Sequence, residues 1–494
     1  MRAPTKTLQS CVSLPLEEAQ LVAVVEKAKD WAIMHGTAMR SKANFNTDAL
    51  TFAPFVLTPS CFPRKEFLKA VELQPVLNEL IHAVAHDAQF LQSTLASAGK
   101  VDEFTRALLT IYRTVLAEGI TQPISLGLLR SDLMLETQCD DECSERKLAV
   151  NAYCCWKQVE INTIAAGFGH LGPASKALQS FVLKELEHGD KLKNLPENDA
   201  LSGLCDAMVE AWKLQDRPSA AILFVVEDVA YNICDQRFHE FYIRETYPHV
   251  AVIRRTLTQI HRTGRLGERS ELLIDGTEAS VVYFRAGYEP GHYHGQAEWD
   301  ARLLVERSLA IKCPSIQYHL AGTKKVQQVL AQPGVLRRFV SDARKIDAIR
   351  DIFTGLYSLD QDEGGDEAVA LALANPDRYV LKPQREGGGN NMYGGDIPVA
   401  LRAMSSAERS AWILMERIVP PVSTGYIVRP GGPSPPPLVQ LTSELGIFGT
   451  IIGSKDEVLY NRYGGHMLRT KLSSSNEGGV AVGSGALDSP YLID

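Results

Sequence analysis

Lys382-Pro383-Gln384-Arg385-Glu386-Gly387-Gly388-Gly389-Asn390-Asn391 decides the reading of this chain. The stretch follows Tyr379-Val380-Leu381, a β-branched and aromatic run that reads as a strand. A lysine therefore stands where a strand ends and a loop begins. The consecutive glycines present backbone N–H groups to a ligand with no Cβ in the way. Lys382 and Arg385 add positive charge. Glu386, Asn390 and Asn391 add hard oxygen donors of the kind Mg²⁺ prefers. Cation, bare amides and a carboxylate in one loop suit a nucleoside triphosphate. A plain flexible linker explains the glycines but not the charged residues before them.

Outward from this loop the texture is α/β. Ala221 to Val226, Val250 to Ile253 and Val281 to Phe284 read as buried strands separated by helix-length segments. Trp299 to Ile311 reads as an amphipathic helix. A second helix is expected to start at Thr323, a good N-cap. Lys324 and Lys325 then fall in its first turn, where the dipole disfavours cations. A bound anion relieves that conflict; two solvated surface lysines explain the pattern equally well. Beyond the loop, Trp412 to Ile418, Leu438 to Leu441, Gly446 to Ile452 and Glu457 to Tyr460 read as strands, and Arg429 to Pro437 as a loop. The chain before about Ile120 reads as mostly helical, from Leu21 to Ala32 and from Glu66 to Ala98.

Glu160-Ile161-Asn162 alternates, so a carboxylate and an amide oxygen share one strand face, a weak Mg²⁺ half-site. Arg469-Thr470-Lys471 places two cations on one face in the same way. His82 and His86 stand four apart with Asp87 adjacent, but no third ligand is evident, and ordinary helix histidines are expected. Gly-x-Ser-x-Gly and the Walker P-loop are both absent. With no nucleophile, the chemistry reads as direct phosphoryl transfer to a substrate.

The bulk numbers fit a globular enzyme: 494 residues, 45% apolar and 22% charged. A formal net charge of −8 argues against nucleic acid or an anionic membrane as partner. No apolar run is long enough for a bilayer span, and the N-terminus lacks a secretory h-region. The basic, hydroxyl-bearing opening from Met1 to Thr7 leaves a short organellar transit segment as the minor alternative to a cytoplasmic location. Nine cysteines form no even framework. Cys139, Cys143, Cys154 and Cys155 cluster, but their spacing fits no zinc knuckle pair, and free thiols are expected.

The residues carry a resemblance. The chain resembles the eukaryotic glutathione synthetases, which are ATP-grasp ligases. The lid loop Lys382 to Asn391 is similar to that family's. So are Glu160 to Ile164, Asn232 to Gln236, Val281 to Arg285, Leu320 to Val326, Ser443 to Gly449 and Leu468 to Lys471, all in the family's order between about residues 120 and 482. The resemblance implies an ATP-grasp fold with a glycine-rich lid and an inserted α/β substrate-binding domain. The implied divisions are a mainly helical part (1–120), a body with the metal half-site (121–219), the α/β domain (220–321) and a nucleotide-binding and lid region (322–494, lid about 375–440). It implies ATP-dependent joining of γ-glutamylcysteine to glycine through an acyl phosphate, and a homodimer.

Residue by residue, the resemblance implies Glu160, Asn162 and Glu386 as Mg²⁺ ligands and Lys324 and Lys382 as phosphate-binding lysines. Gly387, Gly388, Gly389, Asn390, Asn391, Tyr393, Met415, Glu416, Arg417, Ile418, Glu444, Lys471 and Glu477 resemble the other nucleotide contacts. Arg130, Asn232, Gln236, Arg285 and Tyr288 resemble the dipeptide contacts. Arg469, Val480 and Ala481 resemble the glycine end, with Arg469 facing the acyl phosphate. Two departures stand out: Ala165 and Gly167 replace hydroxyl residues that usually touch the dipeptide, and Glu477 replaces an aspartate. The loop from Val480 to Ser484 leaves room for another amine, such as β-alanine or serine. A nucleotide-binding protein without turnover is the rival from another class.

Overall fold

Two long antiparallel strands, Leu438–Gly453 and Val458–Leu472, form the centre of the molecule. The structure is a computed structural model that describes residues 6–138, 153, 155–385, 389–480 and 483–494. Around this pair lies a seven-stranded sheet. On one side follow Ser125–Glu136 and then Cys155–Asn162; on the other follow Gly485–Asp488, Phe55–Val56 and Ser423–Val428. Ser423–Val428 pairs in addition with Leu438–Gly453, so the sheet curls back on itself.

Helices cover the sheet where its side chains are apolar. Arg64–Ala85 and Glu103–Glu118 bury Leu77, Leu80, Ile81, Leu108 and Tyr112 against Leu129, Leu445 and Ile451. The long helical pattern from Glu66 to Ala98 breaks at His86, and Asp87 caps the next helix, Ala88–Thr94, by accepting from Phe90 N at 2.9 Å. Met208 and Trp212 of Ala200–Leu214 pack between this sheet and a second one.

The second sheet holds Ala221–Val225, Ala251–Arg255, Thr277–Phe284 and Ile311–Cys313 in parallel, with a short antiparallel extension at Leu272–Ile274 and Gly264–Leu266. Its parallel strands are joined by helices, and ligands of such sheets sit at the strands' carboxyl ends. A third, four-stranded sheet orders Leu356–Ser358, Trp412–Glu416, Tyr379–Pro383 and Met392–Tyr393, backed by Glu363–Ala374 and Asp396–Ala403. The architecture is α/β throughout.

Several expectations need correction. The helix expected over Trp299 to Ile311 spans Gln296–Glu306, and Ile311 begins a buried strand. The separate strands expected at Leu438 to Leu441 and Gly446 to Ile452 are one. The first 120 residues also contribute strands: Phe55–Val56 joins the main sheet, and Ser60–Pro63 pairs with Pro490–Ile493. Among the described residues no helix is long and apolar enough to cross a membrane.

Candidate active site

The three sheets meet around one cavity of about 1170 Å³. That exceeds the ~300–1,000 Å³ typical of a pocket for one small ligand. Every described residue to which the resemblance gives a site role lines it, except Gly389 and Asn390. Glu386, Gly387, Gly388 and Ala481 lie outside the described residues, as do Cys139, Cys143 and Cys154.

The floor is the polar stretch of the main sheet. Glu160 lies opposite Asp132 in the register of Cys155–Asn162 with Ser125–Glu136, and Asp132 lies opposite Gly446. Glu444 lies opposite Arg469, and Thr442 opposite Lys471. Alternation puts these groups on one face. Gly446 has a steric role there. A Cβ at that position would come within 2.9 Å of Arg130 Cδ and 3.0 Å of Asp132 Oδ1. The glycine leaves the space in which Asp132 reaches both arginines. Arg130 Nε and Nη2 donate to Asp132 at 2.6 and 2.8 Å, and Arg469 Nη2 donates to Asp132 Oδ2 at 3.5 Å. Arg469 also pairs with Glu444. Burial alone would lower the Arg469 pKa, but Glu444 and Asp132 outweigh it and raise it.

Glu160 is the electrostatic centre. Lys324 Nζ stands 3.0 Å from its Oε2. Burial pushes the Glu160 carboxyl up, but Lys324, Lys382 and Arg469 together hold it well below the usual carboxylate range. Asn162 donates its amide to Arg130 O at 3.3 Å and Asp132 Oδ2 at 3.0 Å. Both donations use the NH₂ end, leaving the amide oxygen for a cation. An ionised carboxylate and an amide oxygen on one face are hard donors, so these residues fit Mg²⁺. Among the described residues no cluster of three His, Cys, Asp or Glu suits a metal.

Thr323 takes the N-cap backbone position, but its hydroxyl donates to Leu320 O rather than capping. Lys324 faces the cavity. Lys325, which the sequence left as either phosphate-binding or solvated, is neither: it is buried, 2.6 Å from Asp360 and 2.7 Å from Ser358 Oγ. The helix dipole conflict is therefore met in part by protein carboxylates. Lys382 is the penultimate residue of its strand and donates to Val159 O at 3.0 Å.

An apolar slot adjoins the lysines. Met134, Met415 and Ile418 are buried together, with Val159 and Leu356 against them. The chain beyond is pinned by Glu136, whose carboxylate accepts from Val419 N at 3.2 Å, and by Thr137, whose hydroxyl donates to Val419 O at 2.7 Å. Neither clamp was visible in the sequence, because an acid at a strand's end carries no motif. Arg378 adds a 2.9 Å ion pair to Glu416. Over the floor, Glu477 Oε1 accepts from Tyr393 Oη at 3.0 Å and Asn391 Nδ2 at 3.2 Å. That contact ties the glycine-loop sheet to the C-terminal loop. Lys471 Nζ donates to Asn476 O at 2.6 Å.

At the other end stand Asn232, Gln236, Arg285 and Tyr288. Arg285 Nη1 donates to Ala165 O at 2.5 Å and Nη2 to Asp235 Oδ2 at 3.3 Å. Asp235 also accepts from Phe168, His170 and Leu171 N. Arg130 Nη1 donates to Gly167 O at 3.0 Å. The loop that lost two hydroxyls thus holds both arginines by its carbonyls. Arg285 Nε and Arg469 Nε are buried with no hydrogen-bond partner among the described residues, on side chains that line the cavity. Such donors suit an anionic ligand. His82, as expected, is structural: its ring nitrogens meet Tyr318 Oη at 2.5 Å and Ser454 O at 2.8 Å. Cys11, Cys61, Cys205, Cys234 and Cys313 are free thiols.

The family profile described as eukaryotic glutathione synthase, ATP binding domain, matches residues 18–492. The chain belongs to that family. It is 43% identical over 484 residues to the glutathione synthetase of Xenopus laevis, covering 97% of each chain. It is 42% identical to that of Homo sapiens, covering 97% of this chain and 99% of the relative. A chloroplastic glutathione synthetase of Arabidopsis thaliana is 39% identical, covering 97% and 86%. Among solved structures, a glutathione synthetase-like effector from Globodera pallida in its apo form superposes with a TM-score of 0.76 at 25% identity, covering 97% and 98%.

Proposed function

We propose that the chain joins γ-glutamylcysteine to glycine at the expense of ATP, giving glutathione, ADP and phosphate. The observation that carries this reading is the convergence of Lys324, Lys382 and Arg469 on Glu160 in a cavity large enough for nucleotide and dipeptide together. The relatives' shared name favours glycine over β-alanine or serine, and turnover over nucleotide binding alone.

In this reading adenine enters the slot of Met134, Met415 and Ile418, with the chain at Glu416 and Arg417 beside it. Lys324 and Lys382 take the phosphates, and Gly387 to Asn391, Tyr393, Glu444, Lys471 and Glu477 complete the nucleotide site. Arg130, Asn232, Gln236, Arg285 and Tyr288 take the dipeptide. Glu160, Asn162 and Glu386 would hold Mg²⁺, which when bound neutralises phosphate charge. A cysteinyl carboxylate oxygen attacks the γ-phosphorus and ADP leaves. The glycine amine then attacks the acyl carbon, and phosphate departs with that oxygen. Arg469 neutralises the acyl phosphate beside Val480 and Ala481. The protein's contribution is positioning and charge stabilisation, so no protein nucleophile is needed.

We assign the chain the divisions expected from its sequence, with a lid over about residues 375–440. We further propose a homodimer located in the cytoplasm, with an organellar location as the alternative that the chloroplastic plant relatives keep open. Mass-spectrometric product analysis with Mg-ATP, γ-glutamylcysteine and glycine, β-alanine or serine tests the activity. Glutathione formed with glycine in strong preference supports it; a preference for another amine, or no product, overturns it.

A further inference from the structure

γ-Glutamylcysteine, taken as substrate on the reading above, carries two carboxylates and one α-ammonium. The cavity offers arginines for the carboxylates, so the ammonium needs an acid of its own. The acids that line the cavity among the described residues are Glu160, Glu227, Asp377, Glu416, Glu444 and Glu477. Glu160, Glu416 and Glu444 are paired with Lys324, Arg378 and Arg469. Glu477 and Asp377 sit with the glycine-loop sheet: Glu477 accepts from Tyr393 and Asn391, and Asp377 lies against Gly394. Only Glu227 belongs to the dipeptide end.

Topology places it there. Glu227 follows the strand Ala221–Val225, and Arg285 follows the neighbouring parallel strand Thr277–Phe284. Arg285 N and Ala286 N both donate to Val225 O, at 2.8 and 3.1 Å, which ties the two strand ends together. Glu227 thus stands at the carboxyl end of a parallel sheet, beside Arg285 and Tyr288, in the crevice where such sheets bind ligands. The other acids near this end, Asp132, Asp228, Asp235, Glu240 and Glu289, do not line the cavity, and three of them are already paired. Asp235 is paired with Arg285 and three backbone N–H groups, Asp132 with Arg130, and Glu240 with Arg254.

His292 holds Glu227 without neutralising it. Gly287 N donates to His292 Nδ1 at 3.1 Å, so Nδ1 is an acceptor and the ring's proton sits on Nε2. Nε2 then donates to Glu227 Oε1 at 2.5 Å. A neutral imidazole fixes the carboxylate and leaves its charge intact. The same Gly287 link fixes the loop that carries Tyr288, whose ring stands edge-on to His292 at 4.5 Å.

We infer that Glu227, oriented by His292, receives the α-ammonium of the γ-glutamyl group and so makes a free amine a requirement for the donor. The test compares γ-glutamylcysteine with glutarylcysteine, the same compound lacking the amine, in the full-length protein and its Glu227→Gln variant. Loss of a charge-assisted bond should raise the KM for γ-glutamylcysteine about ten- to a hundredfold. The KM for glutarylcysteine, already weak in the unaltered enzyme, should not rise, and the KM for ATP should not change. His292→Ala should shift the dipeptide KM in the same sense, and His292→Gln, which keeps a donor, should restore most of it. An unchanged dipeptide KM in Glu227→Gln, or an equal rise for both donors, would overturn the inference. If the unaltered protein consumes no ATP with γ-glutamylcysteine, the functional reading itself fails, a result distinct from an active enzyme indifferent to Glu227.

Discussion

Arg469 is the side chain on which the proposed chemistry leans most. Its guanidinium joins Glu444 and Asp132 while its buried Nε has no partner among the described residues. A lysine keeps the charge but not the fork. Arg469→Lys should therefore lower kcat by about 10²–10³-fold, the usual effect of removing one preorganised donor. Steady-state kinetics would check this, and a kcat close to the unaltered value would remove Arg469 from the reacting centre. Glu160 makes a pH-dependent prediction. Its folded pKa is depressed, so its stabilising effect is complete above the ordinary carboxylate value of 4.5 and fades as pH falls below it. Glu160→Gln should be less stable than the parent at neutral pH, with the gap closing under acid. Urea midpoints at several pH values would show this; a gap independent of pH would contradict it. The residues that line the cavity were legible in sequence, because lysines, arginines and amides at strand ends have few structural uses. Lys325 was not. Its neighbour Lys324 has the same local chemistry, and it is Ser358 and Asp360, at and just past the end of the strand Leu356–Ser358, that set Lys325 apart.

At the scale of elements, strands that line an active site read as broken. Ser443 and Glu444 interrupt an apolar run, so the long strand looked like two. In the structure the interruption is the site's floor, and the strand continues through it. Strand pairings between the chain's ends, such as Ser60–Pro63 with Pro490–Ile493, leave no local signal at all. Gly446 was quoted as part of a motif, but its reason is steric. Gly446→Ala would push its Cβ against Met467 Cε first, at 2.6 Å, and then against Arg130 and Asp132. We expect a destabilisation of about 1–3 kcal/mol from overpacking together with a raised KM for the dipeptide. Thermal unfolding and dipeptide kinetics would measure both, and an unchanged KM would mean that Arg130 does not bind the dipeptide.

Over the whole molecule, the cavity exists because three sheets present their polar edges to one another while their apolar faces are covered by helices. Each sheet contributes what the others lack: the main sheet its carboxylate and arginine floor, the parallel sheet a crevice at its strand ends, the third sheet the lysine and the glycine loop. The absence of any motif for a protein nucleophile agrees with an activated intermediate that resides on the substrate. The central claim is that ATP phosphorylates the cysteinyl carboxylate directly. The measurement that tests it uses γ-glutamylcysteine labelled with ¹⁸O in that carboxylate, with ATP and glycine, and analyses the phosphate released. Transfer of one ¹⁸O to each phosphate is the predicted result. Unlabelled phosphate formed alongside glutathione would contradict the account.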